Sequence, residues 1–142
     1  MITSQYVAPP AGLIDLDLVE KVLHRAAEAA ASVTLRLFRT PLAVENKWQT
    51  GFDPVTEADK EAEIAVRQII EESFPDHGIV GEEWANKESL SPFTWIIDPI
   101  DGTRAFVERT DEWVVSIGVV ENGASVAGVL YNPVRDELWA AR

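Results

Sequence analysis

Two β-forming runs, "WVVSIGVV" and "SVAGVLY", are separated only by "ENGA". Asn122-Gly123 in that join accepts the positive φ angles of a two-residue hairpin turn at little cost, so the two runs are expected to pair as antiparallel neighbours. "YNPVRDELWAA" adds a further turn and a final strand. Adjacent hairpins build an antiparallel sheet with a face in need of cover. Upstream, "GIVGEE" and "TWIIDP" read as short, fully apolar strands that each end in carboxylates, the first broken by Gly81.

Helices supply the cover. From about Leu16 to Phe38, Val19, Val22, Leu23, Ala26, Ala30, Val33 and Leu37 recur at three- and four-residue spacing. This is one apolar face of a long helix, started by Asp15 or Asp17 and stopped before Pro41. The polar stretch "ENKWQTGFD" leads to Thr56, which can cap a second helix carrying Ala62, Val66, Ile69 and Ile70 inward and ending near Ser73. The expected class is α+β, two N-terminal helices layered on an antiparallel sheet. The 142 residues, 46% hydrophobic, suit a single domain over 1–142.

Charge and composition narrow the partners. With 24 acidic residues against 12 basic ones and a net charge of −12, the chain is not expected to hold a nucleic acid polymer by general electrostatics. The absence of cysteine removes disulfides, thiolate metal sites and a cysteine nucleophile. No apolar run approaches the roughly 20 residues of a membrane span. "MITSQYVAPPAGLIDLD" lacks the basic start and apolar centre of a secretory signal. The expected location is the cytoplasm, with no membrane partner.

Three acidic motifs stand out: Asp53 and Asp59 in "DPVTEAD", Glu82 and Glu83 in "GEE", and Asp98 and Asp101 in "DPIDGT". Singly, each is an ordinary turn former or surface acid. Together, at the ends of core strands and with no Lys or Arg adjacent that could pair with Glu82, Asp98 and Asp101, they would repel one another unless a hard divalent cation joined them. Oxygen ligands alone point to Mg²⁺, or Mn²⁺, rather than zinc. His24, inside the first helix, and His77, in the "FPDHG" turn, read as structural. Pro99 stiffens the turn so that Asp98 and Asp101 point to one side, and frees the Ile100 carbonyl as a third oxygen ligand. Gly102 removes side-chain bulk, and Gly102-Thr103 offers N–H groups at the start of a short helix, "TRAFVER", where a phosphate can sit.

"DPVTEADKEAE", "GIVGEE", "WIIDPIDGTRAFV" and "VSIGVVENGASVAGVLYNPVRDELWAA" resemble, in this order, the signatures of the inositol monophosphatase family of Mg²⁺-dependent, lithium-sensitive phosphatases. The resemblance runs through nearly the whole chain after the first helix and implies the N-terminal half of a layered αβαβα sugar-phosphatase fold. It implies that Glu82, Asp98 and the Ile100 carbonyl ligate one Mg²⁺ and that Asp98 with Asp101 ligates a second, of two or three ions in a complete site. By the same resemblance, Thr103 and Asp59 form the hydrogen-bonded pair that positions the attacking water, with Glu82 in the catalytic set. The Gly102 and Thr103 amides would receive the phosphate. Glu83 reads either as a solvated neighbour of Glu82 or as a supporting group.

The implied reaction is hydrolysis of a phosphate monoester by in-line attack of water, on a small phosphorylated metabolite such as inositol monophosphate. "DGTRAFVERTDEW" resembles the branch that acts on 3′(2′),5′-bisphosphate nucleotides, whereas "FDPVTEAD" and "PDHGIVGEE" sit closer to inositol monophosphate and histidinol-phosphate phosphatases. Arg104 reads as a substrate clamp or as the i,i+4 partner of Glu108. Family members continue into a second α/β half with a further metal-binding aspartate in a Trp-Asp motif, and none of the five Trp here precedes an Asp. The expectation is a fragment or shortened form that is weakly active or inactive alone and self-associates as a homodimer. The rival from another class is a non-catalytic metal-binding or interaction module.

Overall fold

The computed structural model describes residues 13–39, 45–46, 54–55 and 57–142. The readings placed on Asp53 and on Thr56 as a cap fall outside these residues. Asp15, of the two candidates, starts α1 (Leu16–Leu37): its carboxylate accepts from the backbone N–H groups of Asp17 and Leu18 at 3.0 and 3.2 Å. Such a cap contributes about 1 kcal/mol, and Asp17 in the first turn suits the helix dipole. α2 (Glu57–Ser73) lies against α1, its Ala62, Val66 and Ile70 sharing one core with Val22, Leu23 and Ala26.

A two-residue antiparallel ribbon, β1 (Glu45–Asn46) with β2 (Pro54–Val55), precedes α2 and had no counterpart in the sequence reading. The main sheet has five strands: β3 (Gly78–Gly81), β4 (Phe93–Asp101), β5 (Val114–Glu121), β6 (Ala124–Asn132) and β7 (Glu137–Ala141), in that spatial order. The β4–β7 part is the expected meander. Its β5–β6 hairpin turns through Asn122 and Gly123 at φ 48° and 86°.

One expectation is corrected. β3 runs parallel to β4, so the sheet is mixed rather than antiparallel. Turn chemistry specifies only the downstream joins; between β3 and β4 the chain returns through residues 82–92 to the starting end of the sheet, which makes the pair parallel. On the way, Ile79 and Lys87 exchange both backbone hydrogen bonds, at 3.0 and 2.9 Å, and so engage the outer edge of β3.

Both helices pack on one sheet face, over Trp95, Ile97, Ile117, Val119 and Val129. On the other face Val80 and Ile96 sit side by side in register, with Gly118 and Gly128 following across the sheet. Leu130 and Trp139 form a second row there. Val80, Ile96, Leu130 and Trp139 are 39–54% exposed, and α1 and α2 both pack on the opposite face. A smaller cluster closes the far end of β4: Phe38, Phe106 and Trp113 meet with ring centroids 5.0–5.3 Å apart, around Ala58 and Ile100. Burying a Phe-sized side chain contributes roughly 1.5–3 kcal/mol, so this cluster anchors the segment after β4. No helix among the described residues is long and apolar enough to cross a membrane.

Candidate metal centre

A bulge on β4 sets the direction of two aspartates. Asp98 pairs with Ser116 and Asp101 with Val114, so three steps on β4 face two on β5. Residues three apart on a regular strand point to opposite faces. The extra residue cancels that alternation, and Asp98 and Asp101 both lie on the outer face, away from the helices. Pro99, which has no N–H for the ladder, occupies the irregular stretch where its absence costs nothing.

Glu82 reaches the same place from β3. The parallel register sets Val80 beside Ile96 and Gly81 beside Ile97. One more residue in the same alternation puts Glu82 alongside Asp98.

The electrostatics report this gathering. Burial first, then the charges of Glu82 and Asp101, push the Asp98 carboxyl up to about 6; Glu83 adds to the rise, and the hydrogen bond from the Ile100 N–H opposes it. Among the described residues no ion pair involves Glu82, Asp98 or Asp101, while Arg25, Arg36, Arg67, Arg104, Arg135 and Arg142 each pair with another carboxylate. No three acidic or imidazole groups among the described residues converge closely enough to enclose an ion, so these carboxylates share a field rather than a formed cage. Their chemistry fits a hard cation: oxygen donors only, on one face, without basic partners.

Gly102 turns the chain at the end of β4 with φ 100°, and a Cβ there would come within 2.9 Å of the Glu112 carbonyl oxygen. Only glycine meets both conditions. α3 (Thr103–Val107) starts at once and is shorter than the "TRAFVER" run, because Glu108 closes the turn and Arg109 has left it at φ 66°. The Thr103 hydroxyl donates to the Ile100 carbonyl at 3.2 Å, where the sequence reading pairs it with Asp59. Asp59 is buried in the first turn of α2, next to Ala58, which packs with Ile100, Phe106 and Trp113 and so fixes α2 against the β4–α3 junction. Arg104 pairs with Glu108 at 3.2 Å on the exposed surface, as the i,i+4 reading has it. His77 is structural, its Nδ1 accepting from the Trp95 indole at 2.9 Å and its ring stacked on Phe74.

Sequence reasoning passed over Glu63. Its carboxylate is fully buried and accepts from Arg67 Nε at 3.1 Å and from the backbone N–H groups of Glu83 and Trp84 at 3.2 and 3.1 Å. Gly81 lies against it, and a Cβ on Gly81 would overlap the carboxylate. A signal was present: Asp59, Glu63 and Arg67 follow at four-residue steps, adjoining the inward stripe of Ala62 and Val66, where a solvated acid has no reason to sit.

Comparison with known proteins bears on this arrangement. The model of the inositol monophosphatase family matches residues 15–142. The inositol-1-monophosphatase of Bacillus subtilis is 42% identical over 116 residues, 80% of this chain and 43% of that protein. The Nus factor SuhB of Escherichia coli K12 is 38% identical over 118 residues, 82% of this chain and 44% of that protein. The crystal structure of the extragenic suppressor protein SuhB from Bartonella henselae superposes with a TM-score of 0.82 at 33% identity, covering 88% of this chain and 49% of that one. The chain thus spans a little under half the length of these relatives.

Proposed function

The chain belongs to the inositol monophosphatase family, and we propose that it carries the metal-binding part of a Mg²⁺-dependent phosphomonoesterase acting on a small phosphorylated metabolite such as inositol monophosphate. The observation that carries this reading is the gathering of Glu82, Asp98 and Asp101 at one end of the outer face by the β3–β4 register and the β4 bulge, with no basic partner among the described residues, where burial first and then Glu82 and Asp101 raise the Asp98 carboxyl. Glu82, Asp98, Asp101 and the Ile100 carbonyl would hold the cation, Mg²⁺ or Mn²⁺. When bound, it supplies Lewis acidity toward a phosphoryl oxygen and makes a coordinated water more acidic.

The chain's own residues do the rest. The Thr103 hydroxyl, in contact with the Ile100 carbonyl, orients the attacking water, with Asp59 as its supporting carboxylate. The amides of Gly102 and Thr103 receive the phosphate at the start of α3. Family membership and the name of the Bacillus relative support this substrate class. The bisphosphate-nucleotide and histidinol-phosphate alternatives differ from it only in the leaving group. A second reading, a non-catalytic interaction module that forms homodimers, has the exposed apolar outer face in its favour, together with a relative named as a Nus factor.

The test is turnover of a phosphomonoester panel with and without Mg²⁺. Since the chain spans 44% of the Escherichia coli relative, low absolute rates are expected and the ratios decide. Hydrolysis should require Mg²⁺ and be inhibited by Li⁺, and Thr103→Ala should lower kcat about 10²–10⁴-fold with little change in KM. Turnover indifferent to Mg²⁺ would sink the reading, and Mg²⁺ binding without turnover would favour the second.

A further inference from the structure

Residues 81–84 carry Glu82 on a turn that is strapped to α2 by side-chain bonds on both sides. Glu63 accepts from the N–H groups of Glu83 and Trp84. Arg67, itself held by Glu63, donates to the Trp84 carbonyl at 3.3 Å. The Trp84 indole donates to the Lys60 carbonyl at 3.0 Å. Glu63 is the centre of this arrangement: it is fully buried, and each of its carboxylate oxygens is committed, one to the Glu83 N–H and the other to Trp84 and Arg67. Gly81 leaves room for the carboxylate to come up against the strand end.

A buried carboxylate costs several kcal/mol of desolvation unless its lone pairs are filled, so a fold that needed only a packed α2 would place an apolar residue there. The loop it holds contains no apolar side chain packed in the core; its member on the outer face is Glu82, beside Asp98. We propose that Glu63 is a positioning residue for the cation: it fixes the backbone of residues 81–84 so that Glu82 is presented to Asp98 and Asp101. The proposal rests on reading those three carboxylates as the metal centre. Glu63 touches neither cation nor substrate, and acts through Glu82.

The experiment uses the 142-residue chain and Mn²⁺ alone as the probe, with calorimetric titration, urea unfolding and hydrogen exchange on the same samples. Glu63→Gln keeps the shape but turns an N–H₂ toward donors. It should weaken Mn²⁺ binding about 10–100-fold, the range seen when groups that orient metal ligands are lost, and speed exchange of the Glu83 and Trp84 amides. Glu63→Asp, which retains the charge beside Arg67 but withdraws it from the loop, should lose affinity in the same direction and carries the test should Glu63→Gln fail to fold. Val66→Ala, one turn along the buried face of α2, should destabilise the fold while leaving Mn²⁺ affinity unchanged.

Wild-type affinity in folded Glu63→Gln, or in Glu63→Asp, overturns the positioning role alone. Equal loss of affinity in Val66→Ala also overturns it, by making the effect one of general stability. A wild-type chain that takes up no Mn²⁺ overturns the reading of the metal centre and the positioning role with it.

Discussion

The Asp98 carboxyl, raised to about 6 by burial and then by Glu82 and Asp101, opposes the fold that holds it. Its folded pKa lies above the unfolded value of 3.8, so below 3.8 the group is neutral in both states and costs nothing. Through 6 and above, the folded chain carries a charge it would rather lose. Asp98→Asn should therefore stabilise the metal-free protein at pH 7–8, by on the order of 1 kcal/mol once solvent screening at a partly exposed group is allowed for, and the gain should fade as pH falls through 6. The same substitution should abolish tight Mg²⁺ binding, and wild-type affinity should fall below about pH 6 as protons compete with the cation. Urea titrations and calorimetry across that range check both halves. Equal stability of the two proteins at pH 7.5 would show that neither burial nor the charges of Glu82 and Asp101 raise the Asp98 carboxyl.

Among the elements, the β3–β4 pair carries a second pH response at its helix-side end. Burial lowers the His77 pKa below 6.5; Asp76 opposes this and Lys87 adds to it. Above 6.5 the ring is neutral in both states. Below it, the unfolded chain takes up the proton first, so stability drains away as pH falls toward the folded pKa. The Nδ1 that accepts from Trp95 would become a donor facing a donor, a loss of about 1–3 kcal/mol. Unfolding measured between pH 5 and 7.5 should show this slope in wild type and a flatter one in His77→Gln, which keeps an acceptor and cannot protonate. Parallel slopes would rule His77 out.

What could be read beforehand follows the range of the forces involved. α1, α2 and the β5–β6 hairpin were legible because caps, apolar stripes and Asn-Gly act within a few residues. The direction of β3 was not, since a four-residue strand has no periodicity that encodes its neighbour. Asp98 and Asp101 were legible as a pair because the bulge lies inside "DPID", whereas the place of Glu63 beside the inward stripe signals burial but not its role, because the loop amides it holds lie about 20 residues away, across the turn that β3 leads into.

For the molecule as a whole, the bulge has set the charged groups on the same side of the sheet as Val80, Ile96, Leu130 and Trp139. An exposed apolar face of this kind recruits a partner, and self-association in sedimentation experiments is the expected outcome for this chain. Whatever layer lies over the apolar rows also becomes the ceiling of the carboxylate site, excluding water from Asp98 and strengthening its interaction with a cation. Cover and cation then act as effectors of one another, and such coupling is reciprocal by thermodynamic necessity. Mg²⁺ should tighten association of the wild-type chain and have no effect on association of Asp98→Asn, in which the link is cut but the apolar face is intact. A dissociation constant for the dimer that ignores Mg²⁺ in both proteins would mean that the two surfaces, though continuous, are energetically separate.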